Sequence, residues 1–174
     1  MNGCSQVTSH RVYLIDTNVV SEARKGAKAN PGVIEFFRRA AEADQPLYLS
    51  VVTVGELRRG VELLRHRGDR VQAARLDAWL GDLLEQFAAN ILTLDVDAAQ
   101  VWGRLRVPHP EHELDKQIAA IGLVHDLTVV TRNTVDFAGT GARLMNPFSD
   151  VEARQAAPPE HRVRNCGDAT LATR

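Results

Sequence analysis

Arg11-Val-Tyr-Leu-Ile15, running directly into Asp16-Thr17-Asn18, is the stretch that decides the fold. A short run of strand formers ends in a carboxylate and helix-capping residue types, the pattern of a buried strand feeding a helix. Outward from it, the helix carrying Val19, Val20 and Ala23 fades at Gly26. Asn30-Pro31 opens the next helix, which carries Val33, Ile34, Phe36 and Phe37, because proline suits a first helical turn. Leu47-Tyr-Leu-Ser50 reads as a second strand. Val54, Leu57, Val61 and Leu64 then recur at helical spacing as far as His66-Arg67-Gly68. A longer helix from Asp69 shows Leu76, Leu80, Leu83 and Phe87 on one face. Ile91-Leu-Thr-Leu94 is a third strand, and Asp97 is expected to cap a helix to Arg106 that Pro108 and Pro110 stop. The helix expected over His112–His125 turns Leu114, Ile118, Ile121 and Val124 to the core. Leu127-Thr-Val-Val-Thr131 gives a fourth strand and Ala142-Arg-Leu-Met145 an edge strand. Strands and helices alternate, and the crossovers are too long for hairpins. The expected class is therefore α/β, with a central parallel sheet of four to five strands covered by helices on both faces.

At 174 residues, 44% hydrophobic and 25% charged, the chain buries one core without needing disulfides. Cys4 and Cys166 form no Cys-x-x-Cys pair, which excludes a redox motif or zinc knuckle and fits a reducing cytoplasm. Lys+Arg 21 against Asp+Glu 22 leaves a formal net charge of -1, so any nucleic-acid contact must be local. Met1–His10 lacks a signal-peptide pattern, and no apolar run approaches the roughly 18 residues of a membrane span. The expected organisation is an N-terminal arm over 1–10, a folded domain over 11–148 and a flexible tail over 149–174. Pro158-Pro159 and scattered charges leave that tail little apolar surface to bury.

In open parallel sheets, ligands bind beyond the carboxyl ends of the strands. Asp16 lies at such an end, Glu56 early in the helix after the second strand, and Asp115 in the first turn of the helix before the fourth. Asn133 and Asp136 follow the fourth strand directly. Each acid alone reads more simply as a helix cap or dipole partner; together they recur at one end of successive strand–helix units. Converging carboxylates raise one another's pKa unless a cation compensates, and no lysine in these motifs is an obvious compensator. Hard oxygen donors select Mg²⁺ or Mn²⁺ over zinc, and such a centre suits phosphoryl chemistry with a metal-activated water. His109-Pro-Glu-His112 has His-x-x-His spacing, but the flanking prolines put it in a loop, and surface histidines rather than ligands are expected there.

Four motifs in order carry a family resemblance: Leu14-Ile-Asp16-Thr17-Asn18-Val-Val-Ser21-Glu22, Thr53-Val-Gly-Glu56-Leu-Arg-Arg-Gly60, Asp115-Lys-Gln-Ile-Ala-Ala120, and Val130-Thr131-Arg132-Asn133-Thr-Val-Asp136-Phe137. Gly-Thr-Gly141 and Asn146-Pro147-Phe148 follow them. From about Val12 to Phe148 the chain resembles the PIN-domain ribonucleases of the VapC-like toxin branch of bacterial toxin–antitoxin systems. The resemblance implies a PIN-like three-layer sandwich and a Mg²⁺-dependent endoribonuclease acting on single-stranded RNA, with Mn²⁺ as the alternative ion. It also implies a homodimer held inactive by a cognate antitoxin. Asp16, Glu56 and Asp115 match the family's three metal-coordinating acids. Asp16 and Asp115 are assigned as metal ligands, and Asp136 joins these three as catalytic. Asn133 stands where some relatives carry an acid and is read as a neutral donor or a ligand through water. Thr17 and Asn18 are expected to support the acids, with Thr131 and Arg132 bordering the site.

Arg58, Arg59, Arg65, Arg67 and Arg70, on and after the Glu56 helix, and Arg132 are candidates for holding RNA phosphates. The bland reading of any single arginine is a solvated face. A haloacid-dehalogenase type of phosphatase needs a second carboxylate where Asn18 stands, and no Gly-rich nucleotide loop is present. The remaining alternative is a catalytically degenerate PIN fold that binds RNA or protein without cutting.

Overall fold

The computed structural model describes residues 12–149. The arm expected over 1–10, Arg11 of the first strand, and the expected tail apart from Ser149 lie outside them. The elements are β1 (Tyr13–Ile15), α1 (Thr17–Ala23), a 3₁₀ turn (Gly26–Lys28), α2 (Pro31–Glu42), β2 (Leu47–Ser50) and α3 (Val51–His66). They continue as α4 (Arg70–Gln86), β3 (Ile91–Leu92), α5 (Val96–Leu105), α6 (Glu113–Val124), β4 (Thr128–Val130) and β5 (Arg143–Met145).

The five strands form one parallel sheet in the order β3-β2-β1-β4-β5. Tyr13 pairs with Leu47 on one side and with Thr128 on the other, so β1 is central. The chain steps outward from β1 through β2 to β3, then returns across β1 to β4. Strand order reverses between β1 and β4, which opens a crevice at their carboxyl ends.

Because side chains alternate along a strand, β1 feeds two cores. Tyr13 and Ile15 pack with Val19 of α1, Phe36 of α2, Leu57 and Val61 of α3 and Leu80 of α4. Leu14 packs on the opposite face with Ala98 of α5, Ile118 and Ile121 of α6, and Phe137. The molecule is the expected three-layer α/β sandwich, with α1–α4 on one face and α5–α6 on the other. Gly122 lets α6 lie close to the sheet: a Cβ there would meet Val129 Cγ2 at 3.0 Å.

Helix starts follow short polar side chains. Asn30 caps α2 through Gly32 N–H at 2.8 Å with Pro31 in the first turn, and Ser50 caps α3 through Thr53 N–H at 2.9 Å. Three expectations need correction. Asp95, not Asp97, caps α5, accepting from Ala98 N–H at 2.8 Å; its extended backbone brings the carboxylate over the turn, and Asp97 sits inside the helix. Leu114, expected on the core side of α6, is exposed, because the buried run of α6 starts only at Lys116 and Ile118. Strands β3 and β4 are also shorter than expected, β3 because the cap at Asp95 closely follows it.

Candidate metal centre

Asp16 leaves β1 and caps α1, and its backbone N–H donates to Val130 O at 3.0 Å, which fixes it where β1 and β4 end together. Its carboxylate accepts from Thr17 N–H at 2.6 Å, Asn18 Nδ2 at 2.5 Å and the Thr131 hydroxyl at 2.7 Å. It is 3% exposed. Burial nonetheless pushes its pKa up and the Glu56 charge adds to this, against the three hydrogen bonds that favour the ionised form.

Glu56 is brought in by the cap of α3, which starts that helix at the end of β2 beside β1. The Thr17 hydroxyl donates to Glu56 Oε2, so one residue of α1 positions two acids, Asp16 through its backbone and Glu56 through its side chain. Asp115 lies in the first turn of α6. Burial, then the charges of Asp16, Asp136 and Glu56, push its carboxyl up to about 6, with His112 opposing. A first-turn carboxylate is ordinarily favoured by the helix dipole. Its high pKa therefore records burial first and the charges of the other acids second, together outweighing the dipole.

Beyond β4, Thr131 accepts from Asn18 Nδ2 at 3.1 Å and Asn133 N–H at 3.0 Å, while Asn18 Oδ1 accepts from Arg132 N–H at 3.0 Å. Asn18 and Thr131 thus tie the β1 and β4 loops together around Asp16. Asn133 turns its side-chain amide to Asp136 Oδ2. Lys116, buried and next to Asp115 in sequence, does not neutralise the acids through this bond: its Nζ donates to the carbonyl of His109. Four mutually repelling carboxylates, held by neutral donors, suit a divalent cation. Asp16 and Asp115 are the residues that would hold it, with Asp136 and Glu56 beside them.

His112 was not among the expected site residues. It precedes α6 with a left-handed backbone, and its Nδ1 lies 3.4 Å from Asp136 Oδ2. Donor atoms of His112, Asp115 and Asp136 all lie within 4.8 Å of one another. His109 instead faces Glu111 at 3.3 Å. The His-x-x-His pair does not act as a unit; the useful signal was the spacing of His112 to Asp115, one helical turn. A polar cavity of about 490 Å³ opens beside them, lined by Arg104, His109, Lys116, Asp136 and Thr140 among others.

The arginines differ in what they have free. Arg58 is paired with Asp77 of α4 at 2.6 Å, and Arg65 with Glu62 at 2.6 Å and with Asp77. Arg59 is exposed on α3, and Arg132 lies over the Phe148 ring at 5.2 Å beside the acids' loop.

The sheet order and the acid-lined crevice define an α/β domain with a candidate metal centre at the carboxyl ends of its strands, and comparison with known proteins gives the family. Residues 13–141 match the PIN domain family, and the chain belongs to it. It is 34% identical over 142 residues to the plasmid stability protein StbB of Pseudomonas syringae pv. tomato, covering 79% of this chain and 99% of that one. It is 31% identical to the VapC ribonuclease Y4jK of Sinorhizobium fredii, covering 79% of this chain and 98% of that one. Its fold matches the crystal structure of FitAcB from Neisseria gonorrhoeae with a TM-score of 0.63 and 34% identity, covering 79% of this chain and 99% of that one. Among the described residues no helix is long and apolar enough to cross a membrane.

Proposed function

We propose that this protein is a divalent-metal-dependent endoribonuclease that cuts single-stranded RNA and serves as the toxin of a cytoplasmic toxin–antitoxin pair. The observation that carries the reading is the convergence of Asp16, Glu56, Asp115 and Asp136, from four separate segments, into one electrostatically coupled group. The name of the VapC ribonuclease relative agrees with it. A bound Mg²⁺ or Mn²⁺ would supply an acidified water and charge neutralisation at the scissile phosphate. Asp16 and Asp115 would hold the ion. Glu56, with Oε2 engaged by Thr17, would keep Oε1 as the acceptor for a water proton. Thr17, Asn18 and Thr131 fix the carboxylates before substrate arrives, and Asn133 orients Asp136. Arg132 and Arg59 bind backbone phosphates in a salt-dependent manner; Arg58 must first leave Asp77 to do so.

The antitoxin reading has a surface that suits it. An apolar groove of about 260 Å³ runs between α1, α2 and α4, lined by Val20, Ala23, Phe37, Trp79, Leu83 and Phe87, with Arg24 over the Trp79 ring at 5.6 Å. A helix with apolar anchors fits such a groove. The assembly expected is a homodimer. The test is incubation of partner-free protein with single-stranded RNA, with and without Mg²⁺ and EDTA, beside Asp16→Asn and Asp115→Asn. Cleavage by the wild type only with metal, and by neither variant, supports the enzyme. RNA bound but uncut by the wild type would mean a degenerate binding fold, and equal cleavage by the variants would mean contamination.

A further inference from the structure

We infer that His112 is a nitrogen ligand of the cation centre, and that His112, Asp115 and Asp136 together make the site take Mn²⁺ in preference to Mg²⁺. The inference rests on the reading of the acids as a metal centre and adds a residue and a metal class to it. Two donors each about 2.1 Å from one ion lie at most about 4.2 Å apart, and about 3 Å apart when adjacent in an octahedron. His112 Nδ1 and Asp136 Oδ2 lie 3.4 Å apart, close to the adjacent spacing. All three donor atoms fall within 4.8 Å, so small side-chain rotations close the set.

Local structure leaves the imidazole available. His112 is the residue before α6, yet its side chain caps no backbone N–H, whereas Ser50, Asp69 and Asp95 in the same place on their helices do. Asp115 follows one turn later, on the same end of α6. The preceding loop is pinned by the buried Lys116 amine on the His109 carbonyl, which restricts how far His112 can swing away. Asn133 holds Asp136 from the other side. Imidazole is a poor partner for Mg²⁺, which demands oxygen donors and keeps its waters; Mn²⁺ also favours oxygen but accepts one nitrogen among them more readily, and the later first-row divalent ions more readily still. The competing explanation is that protonated His112 merely pairs with Asp136.

Metal-stripped full chain, titrated with Mn²⁺ and separately with Mg²⁺ by calorimetry, then loaded with Mn²⁺ for electron spin-echo modulation, separates the two. The wild type and His109→Gln should show ¹⁴N coupling to Mn²⁺, and His112→Gln should lose it. His112→Gln should also weaken Mn²⁺ by about tenfold while leaving Mg²⁺ affinity within about twofold. Bound Mn²⁺ without ¹⁴N coupling in the wild type overturns the inference whatever the variants do, and so does coupling that persists in His112→Gln. If that oxygen-only Mn²⁺ protein still cuts RNA, the nuclease reading survives and His112 alone is displaced; if no divalent ion binds, both fall.

Discussion

Asp115→Asn separates the electrostatic strain of the acid cluster from its chemistry. The Asp115 carboxyl sits at about 6 against an ordinary 3.8. Once ionised it weakens the folded state by at most about 3 kcal/mol, at about 1.4 kcal/mol per pKa unit. The group is only half-buried, and solvent screening together with the favourable α6 dipole reduces this to about 1 kcal/mol. Asparagine keeps the shape and removes the charge. Without divalent cations and near neutral pH, the variant should therefore melt about 3 °C above the wild type. The sign follows from proton binding. Between 3.8 and about 6 the folded wild type holds a proton that the unfolded chain has released, so its stability falls as pH rises through that window. The gap between the proteins is full above the window and closes below it. Saturating Mg²⁺ or Mn²⁺ should reverse the order, stabilising the wild type and barely moving the variant. Thermal denaturation across a pH series, with EDTA and with each cation, measures all of this. A variant less stable than wild type in EDTA at neutral pH, or a gap that persists in acid, would refute the account of four acids sharing one field.

Protonation of Asp115 should show in metal binding as well. Cation affinity should drop as pH is lowered through about 6, with proton release on binding, read by calorimetry in two buffers of different ionisation enthalpy. Asp16→Asn should leave RNA cleavage at the level of the EDTA control while the protein stays folded, and activity above that level would remove Asp16 from the chemistry. Thr131→Val deletes the donor to Asp16 and the acceptor for Asn18 and Asn133; cation affinity should fall about tenfold in a titration, and an unchanged affinity would reduce the hydroxyl to packing. Leu14→Ala, fully buried between β1 and α6, should lower unfolding free energy by about 3 kcal/mol in a denaturant titration, and a loss below about 1 kcal/mol would mean that α6 packs more loosely than described.

Much of the scaffold was legible because it obeys local rules. A strand buried on both faces reads as a near-continuous run of apolar and β-branched residues, which singles out Tyr13–Ile15 and, past the half-buried Thr128, Val129 and Val130. Asp16 could be placed at a strand end because the apolar run stops there and a helix begins. The cap of α5 was misplaced because Asp95 and Asp97 are chemically equal, and backbone dihedrals, which sequence pattern does not resolve, choose between them. Leu114 was misplaced because helical periodicity marks a face without saying where the neighbouring sheet ends.

For the site, the sequence by itself determined which residues carry negative charge, and that they stand at the starts of helices or the ends of strands. It could not determine that they meet. Periodicity along a strand reports burial, not which strand lies beside which, and the crevice exists because β4 inserts next to β1 after a long excursion. Tertiary structure alone set His112 apart from His109 and turned it to Asp136, through a left-handed residue and a lysine anchored on a loop carbonyl. The physical reason is range: hydrophobic pattern and capping act over a few residues, whereas the burial that raises Asp115, and the acid charges that add to it, come from groups distant in the chain and close in space.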